Sequence, residues 1–402
     1  MNLYQRINKI LLAFILLFDI VFASELKLTS ERYILYNMND NEVLMEKDAD
    51  KEVSIASLTK IMTVIVAIEN IDNFDNKITI TKKMIDDIES DVSIAGFKVG
   101  DKLTYDDLLY GAMLPSGADA VNALAISISG NKKDFVELMN KKVEELGLKH
   151  THFANVVGLY DKNNYSSAYD MSQILIYALK NPKFKSVFET KKYTYSNGLK
   201  AESTLNYYSN KTNNNTSFIT GSKTGYIKKA GYCLVSTSTL NDVNYLLVTL
   251  NAFSTDRSSH IKDHINTYKY YSNNYGYKKL VDYDTDIITL NTLYTKEKEV
   301  NITANTVKEK YMKNDFDYND LGYKYNGVKE VSYFTKSGSK IGNVEIYYKG
   351  EKIDDFDVIF NGILTFSLIS FLTDNIVFLV AILLLIIVII RALIFKRKNN
   401  WQ

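Results

Sequence analysis

A serine and a lysine three residues apart, Ser57 and Lys60, lie at the head of a long apolar run. The run continues to Ile68 and is apolar almost all round a helical wheel, which predicts a helix buried at the centre of a domain. A spacing of three places both side chains on one face of that helix, close enough for the amine to accept the hydroxyl proton. The pair could therefore act as a nucleophile and its base.

The same Ser-x-x-Lys spacing occurs elsewhere in the chain, so spacing alone does not identify a catalytic pair. The other matches are Ser24/Lys27, Ser129/Lys132, Ser259/Lys262 and Ser337/Lys340. Ser57 and Lys60 differ in their position at the head of an apolar helix, where a lysine is costly unless it hydrogen-bonds or loses its charge. On these two residues alone, a catalytic and a structural role both remain open.

Two further stretches place polar residues where a ligand could approach. The pair Ser116-Gly117 lies between two predicted apolar helices, and Lys223-Thr224-Gly225 precedes two predicted strands. The lysine and threonine offer a cation and a hydroxyl to a carboxylate, and the glycine lets a substrate approach the strand backbone. Taken alone, the second stretch also fits an edge strand with a solvated lysine.

The elements that must position these residues follow from periodicity and turn signals. A hairpin is predicted for 32–36 and 43–46, and further strands for 77–81, 231–238 and 245–250. Helices are predicted for 105–114, with Thr104 as N-cap, and for 135–146 and 172–179, whereas 193–215 is expected to be irregular. From 276 onward, short alternating runs predict a small all-β module at 287–290, 299–304, 331–334, 343–348 and 356–360.

Composition limits the class of protein. With 402 residues the chain can hold two domains, and its 48 basic and 47 acidic side chains are mixed, so no basic stripe indicates a nucleic-acid partner. The single cysteine, Cys233, excludes an internal disulfide and is expected to be buried. The histidine pairs His150/His152 and His260/His264 lack a carboxylate-rich cluster, so no metal site is predicted and both pairs are expected at the surface.

Both ends of the chain carry apolar segments. Residues 1–23 have basic residues, an apolar run and small residues before a cut after Ala23, which predicts a signal peptide; an uncleaved anchor is the alternative. Residues 374–396 are long and apolar enough to cross a bilayer, and the basic tail 396–402 should stay cytoplasmic. The protein would then cross the membrane once, and the chain between the two segments would lie outside the cytoplasm.

Together the three polar stretches, in this order and at these separations, resemble the active-site motifs of the penicillin-binding and serine β-lactamase superfamily. The likeness extends over about residues 30–272 and is most specific to the D-alanyl-D-alanine carboxypeptidases, the low-molecular-weight penicillin-binding proteins. It includes 53–62, 100–120, 155–159, 165–171 and 223–235. The resemblance implies an α/β (α+β) transpeptidase-like domain at 24–275, with an antiparallel sheet flanked by helices, a β-rich module at 276–362 and the anchor.

The resemblance also implies roles for individual residues. Ser57 would be the acylated nucleophile, Lys60 its base, and Ser116 the group that relays a proton to the departing D-alanine. On the substrate side, Lys223 and Thr224 would bind the terminal carboxylate, Arg257 would lie near it, and Gly225 would let the substrate approach the strand. The backbone N–H of Tyr226 would form the oxyanion hole with that of Ser57.

The implied activity is removal of the terminal D-alanine from peptidoglycan pentapeptide stems, without a cofactor and with β-lactams as acylating inhibitors. Two positions depart from the family pattern: Ala118 stands where the second motif usually has asparagine, and Asn164 where a histidine is expected. Ala118 removes an amide donor, which puts the rate and the β-lactam affinity in question. A serine β-lactamase and a non-catalytic wall-binding protein remain the alternatives.

Overall fold

The computed structural model describes residues 26–399 and divides the chain into two compact units, with the boundary between Asn273 and Asn274. The predicted signal peptide, residues 1–23, lies outside the described residues. The boundaries predicted for the domains remain predictions.

The first unit is built on an antiparallel sheet, and the strand that carries Lys223 forms one edge of it. Its strands are β1 (Ser30–Asn37), β2 (Glu42–Lys47), β3 (Lys77–Thr79), β4 (Lys102–Thr104), β5 (Lys192–Thr194), β6 (Lys200–Glu202), β7 (Ile219–Ile227), β8 (Gly231–Leu240) and β9 (Val243–Ala252). Five of them form the central sheet in the order β2-β1-β9-β8-β7, while β3/β4 and β5/β6 are separate pairs. The predicted hairpin is confirmed as β1 and β2, and the strands predicted at 231–238 and 245–250 lie inside β8 and β9.

Helices cover this sheet. They are α1 (Thr59–Glu69), α2 (Lys82–Ile85), α3 (Tyr105–Met113), α4 (Ala118–Ser129), α5 (Lys132–Glu145), α6 (Ala168–Leu179), α7 (Pro182–Glu189), α8 (Thr204–Lys211) and α9 (Ser259–Asn274). Thr104 caps α3 as predicted, accepting a hydrogen bond from the Asp107 N–H at 3.1 Å.

Helix α1 is the buried centre of the unit, as its apolar sequence predicts. Every residue from Thr59 to Ile68 is buried. The helix begins later than predicted, however, because Ala56–Leu58 form a 3₁₀ turn and Ala56 has a φ of 49°. Ser57 therefore lies in a tight turn before α1 rather than on the helix itself, and this turn directs the serine toward strand β7.

The expectation of an irregular segment at 193–215 is wrong, since β5, β6 and α8 occupy most of it. These short elements are stabilised by contacts that are distant in sequence. The Tyr193 ring stacks on Tyr110 at 3.9 Å, and the Tyr195 ring meets Phe97 edge-on at 4.9 Å. Aromatic packing of this kind depends on partners about ninety residues away and leaves no local pattern.

The sequence predicts that both histidine pairs lie at the surface. This holds for His150, which is half-buried, and for His152, which is exposed, but it is wrong for the buried His260 and His264. Both of these lie on the inner face of α9, which packs on the sheet. Hydroxyl groups satisfy the buried His264 ring: Ser236 Oγ lies 2.6 Å from Nδ1 and Thr249 Oγ1 lies 3.0 Å from Nε2. Burial lowers the pKa of both histidines. Cys233 is buried, as expected.

The second unit is rich in strands and has its own small apolar core. Its strands are β10 (Tyr275–Val281), β11 (Asp286–Leu293), β12 (Glu299–Thr303), β13 (Lys308–Lys313), β14 (Leu321–Gly327), β15 (Glu330–Ser332), β16 (Ser339–Tyr348) and β17 (Glu351–Phe360). They pair as β10-β13, β12-β11-β15 and β14-β16-β17. Val344, Ile346 and Val358 are fully buried in this core.

Two helices follow the strands: α10 (Leu368–Asp374) and α11 (Ile376–Asn399). Within the described residues, α11 carries a candidate membrane span of 21 residues, Ile376–Lys396, none of it buried. The expected fold class is confirmed: a mixed α/β unit with an antiparallel sheet and helices, a β-rich unit and a C-terminal apolar helix.

Candidate active site

The structure brings the predicted nucleophile and base into direct contact. Lys60 Nζ lies 2.9 Å from Ser57 Oγ and donates a second hydrogen bond of 2.7 Å to the carbonyl oxygen of Val157. Lys60 is buried, and this burial lowers the pKa of its amine to about 7. Near neutral pH a large fraction of the amine is therefore uncharged and able to take a proton from the serine.

Two glycines hold the turn that carries Ser57. A Cβ atom added to Gly158, where φ is 88°, would lie 2.0 Å from the Ala56 carbonyl oxygen, and one added to Gly225 would lie 3.1 Å from the Ser57 nitrogen. A side chain at 158 would force the backbone apart, and one at 225 would be tight against it, so the two glycines allow three backbone segments to lie close together. The Ser57 N–H is thereby held beside strand β7.

The loop that bears Gly158 is organised by one side chain. Asn155 Oδ1 accepts hydrogen bonds from the backbone N–H groups of Val157, Gly158 and Leu159 at 2.7 to 3.3 Å. This arrangement turns the Val157 carbonyl toward Lys60. Nearby, the buried Asn164 accepts a hydrogen bond from the Ala154 N–H at 3.0 Å, so the asparagine found in place of the expected histidine has a structural contact.

Ser116 is in a strained turn between α3 and α4, with a φ of 66°. Its hydroxyl is buried and has no hydrogen-bond partner among the described residues. Such an unpaired buried hydroxyl is costly and commonly marks a functional position. The structure does not place Ser116 within hydrogen-bond distance of Ser57 or Lys60.

Ala118 and its neighbour Asp119 have different surroundings. Ala118 is buried and lines a cavity of about 430 Å³, which is also lined by Val157 and Leu159. The Asp119 carboxylate instead accepts hydrogen bonds from three backbone N–H groups of one loop, those of Ala95, Gly96 and Phe97, and from the Ala120 N–H. Asp119 therefore holds a loop and does not replace the missing amide.

Asn122 does not replace it either. Its side-chain amide donates a 3.5 Å hydrogen bond to the Asp87 carboxylate, which also lines the cavity. The negative charge of Asp119 does favour the protonated form of Lys60, but burial outweighs this effect.

Strand β7 provides the candidate binding residues. Lys223 is fully buried, donates a 3.0 Å hydrogen bond to the Thr224 carbonyl, and has its pKa lowered well below the usual value by burial and by the charge of Lys60. Thr224 Oγ1 lies 2.6 Å from Thr204 Oγ1, at the start of α8. A carboxylate bound here would restore the charge on Lys223.

Tyr226 and Arg257 are both exposed, and both lie near Tyr232. The Tyr226 ring stacks on Tyr232 at 4.5 Å, and Tyr232 stacks on His260 at 5.0 Å. Arg257 is exposed and lies close to Tyr232. Burial raises the pKa of Tyr232, and the positive charge of Arg257 partly offsets this rise. The structure shows no hydrogen bond between Arg257 and Lys223 or Thr224, so the carboxylate role of Arg257 stays a prediction.

Sequence reasoning assigned no role to three contributors to this geometry: the Val157 carbonyl, Gly158 and Thr204. Only the Asn-x-x-Gly spacing from Asn155 to Gly158 gives a local turn signal. Within residues 26–399, no cluster of three or more His, Cys, Asp or Glu side chains could hold a metal ion.

Comparison with known proteins connects this geometry to a family. The model of the D-alanyl-D-alanine carboxypeptidase family, a peptidase family, matches residues 20–254. The D-alanyl-D-alanine carboxypeptidase DacF of Bacillus subtilis is 28% identical over 344 residues, which cover 83% of this chain and 86% of that protein. A D-alanyl-D-alanine carboxypeptidase of Streptomyces sp. K15 is 40% identical over 220 residues, covering 51% and 75%.

The fold is also similar to a solved structure. Penicillin-binding protein 5 from Haemophilus influenzae superposes with a TM-score of 0.63 at 25% identity, covering 85% of this chain and 99% of that one.

Proposed function

This chain belongs to the D-alanyl-D-alanine carboxypeptidase family, and we propose that it forms its acyl-enzyme on Ser57. It is a serine-type peptidase that acts on cell-wall peptides and binds penicillin. The observation that carries the assignment to Ser57 is its 2.9 Å contact with a buried lysine whose pKa is about 7.

The first step uses the uncharged amine of Lys60. The Ser57 hydroxyl gives its proton to Lys60 as Oγ attacks the carbonyl carbon of the penultimate D-alanine. The resulting oxyanion would be held by the N–H groups of Ser57 and Tyr226. The close approach of Gly225 to the Ser57 nitrogen, 3.1 Å from a Cβ at that position, supports this pairing.

The terminal carboxylate of the substrate would bind Lys223 and Thr224. A negative charge beside the buried Lys223 favours its protonated form and so offsets the lowering of its pKa. The Thr204 hydroxyl, 2.6 Å from that of Thr224, would orient the threonine for this contact.

The second step breaks the bond between the acyl carbon and the nitrogen of the leaving D-alanine. That nitrogen takes the proton from Lys60. The relay is assigned to Ser116 from its motif; its hydroxyl has no partner among the described residues and must come within hydrogen-bond distance of Lys60 when substrate binds. Water then attacks the ester carbon, and Ser57 Oγ recovers a proton as the shortened stem peptide leaves.

We further propose that α11 anchors the protein as a single membrane span with the catalytic unit outside the cytoplasm. The span Ile376–Lys396 is followed by Arg397 and Lys398, and a basic flank favours the cytoplasmic side. In this arrangement residues 1–23 act as the export signal, 24–275 as the catalytic domain, and 276–362 as the β-rich module that precedes the anchor in the chain.

Mass spectrometry of the full-length protein in detergent tests the assignment. After incubation with penicillin, the expected result is a single covalent adduct on the peptide that contains Ser57, with D-alanine released from diacetyl-Lys-D-Ala-D-Ala in a parallel reaction. Ser57→Ala should abolish both results. Ser337→Ala, which alters a Ser-x-x-Lys pair in an exposed turn, should leave both unchanged.

Two results would contradict the proposal. An adduct on a different serine would refute the role of Ser57. Peptide binding without an adduct or D-alanine release would favour a non-catalytic wall-binding protein, while rapid turnover of nitrocefin without a stable adduct would indicate a β-lactamase.

A further inference from the structure

A group of large apolar side chains is exposed on the second unit just before the candidate span. Three of them are not covered by the protein: Ile363 is 94% exposed, Ile369 77% and Phe334 63%. We call the group the collar; its members are Tyr333, Phe334, Ile363, Phe366, Leu368, Ile369 and Leu372. Such a concentration of exposed apolar surface usually marks an interaction site.

The collar is part of the folded unit and not a loose tether. The Ser367 N–H donates to the Tyr294 carbonyl at 3.0 Å, and the Lys296 N–H donates to the Thr365 carbonyl at 2.8 Å. These bonds hold the segment before α10 against the end of β11.

Aromatic contacts add to this attachment. The Phe371 ring lies 5.2 Å from Tyr294, and the Phe366 ring lies 5.1 Å from Tyr333. Tyr333 and Phe334 follow β15, whereas the other members lie in α10 or just before it. Two separate parts of the chain therefore build one surface.

The position of the span determines what this surface must meet. Helix α10 ends at Asp374 and α11 begins at Ile376, so a single residue separates them. The span of 21 residues is about 30 Å long as a helix, which matches the hydrocarbon thickness of a bilayer. Its first residue must therefore lie at the membrane boundary, and α10 lies within about one helical turn of it.

We propose that the collar inserts into the interfacial layer of the outer leaflet, so that the β-rich unit is seated directly on lipid; this rests on the membrane topology proposed above. Aromatic and aliphatic side chains next to a span are favoured at this depth, where the lipid headgroups meet the acyl chains. The occupant is lipid because the collar is continuous with the span that lipid surrounds.

Spin-label depth measurements on the full-length protein test this proposal. The native Cys233 does not compete for label, because it is buried and burial raises the pKa of its thiol to about 12. Cysteine would be introduced by Phe334→Cys and Ile369→Cys in the collar. Ile386→Cys in the span is the lipid reference, and the protein would be reconstituted in vesicles of phosphatidylcholine and phosphatidylglycerol.

A matched control is Tyr318→Cys, because Tyr318 is an exposed aromatic of the same unit, 58% exposed, that precedes β14 and lies outside the collar. The readout is the ratio of the label's collision rate with oxygen to its collision rate with a water-soluble nickel chelate. This ratio should be severalfold higher for labels at 334 and 369 than for the label at 318. The label at 386 should give the highest ratio.

Three results would overturn the proposal, and they are distinguishable. If 334 and 369 behave like 318 while 386 is in lipid, the anchor holds but the collar lies in water. Spin–spin broadening at 369 without oxygen access would mean that a second copy covers the collar. If 386 is also accessible to nickel, the proposed membrane topology itself fails.

Discussion

Replacement of Gly158 by alanine should inactivate the enzyme without contacting the substrate. The added Cβ would lie 2.0 Å from the Ala56 carbonyl oxygen, whereas Cβ atoms essentially never lie within 3.0 Å of a non-bonded heavy atom. The difference of 1.0 Å must be taken up by moving the Ala56–Ser57 peptide or the loop of Gly158. Either movement displaces the Ser57 N–H or the Val157 carbonyl that holds Lys60.

The size of the effect follows from two contributions. A left-handed backbone costs a non-glycine residue about 1–2 kcal/mol, which lowers stability. Loss of one oxyanion-hole donor costs about 100- to 1,000-fold in kcat, and a 1 Å misplacement of a reacting group has a similar effect. We expect Gly158→Ala to lower the rate of acylation by benzylpenicillin about 100-fold or more while the protein stays folded.

Gly147→Ala is the matched control. Gly147 has a φ of 67°, but a Cβ added there meets nothing within 4 Å. It should show the same backbone strain, seen as a small drop in thermal midpoint, with an unchanged acylation rate. If Gly158→Ala is acylated as fast as the Gly147→Ala variant, the argument that these glycines hold the nucleophile is refuted.

Three further predictions concern the same site. Burial lowers the pKa of Lys60 to about 7, and only the uncharged amine can take the Ser57 proton. The acylation rate should therefore fall about tenfold per pH unit below pH 7 and level off above it. An acylation rate that does not change with pH in stopped-flow measurements would contradict this. Ala118→Asn should raise the acylation rate about tenfold, since it supplies an amide donor beside Val157, whose carbonyl contacts Lys60, and the adjoining cavity of about 430 Å³ has room for the longer side chain; Ala118→Leu should not. Asp119→Ala leaves the three loop N–H groups of residues 95–97 without their acceptor and should cost about 3 kcal/mol of unfolding free energy in urea titration.

Local patterns in the sequence predicted much of the fold. The hairpin of β1 and β2, the capped helix α3 and the buried helix α1 all follow from alternation, turn residues and a Ser/Thr cap, because these signals act within a few residues. The same patterns failed for 193–215, where Tyr193 and Tyr195 are held by rings about ninety residues away. They also failed for His264, whose burial depends on strand hydroxyls that only the packed sheet presents.

The sequence by itself determined which side chains are available for chemistry: the order and separation of the motifs of Ser57, Ser116 and Lys223 were enough to predict the family and the reaction. Only the tertiary structure decided how they can work. The lowered pKa of Lys60 results from burial, and its second hydrogen bond comes from the Val157 carbonyl, 97 residues away. Burial and backbone contacts between distant segments exist only after the chain has packed, so no local pattern of residues encodes them.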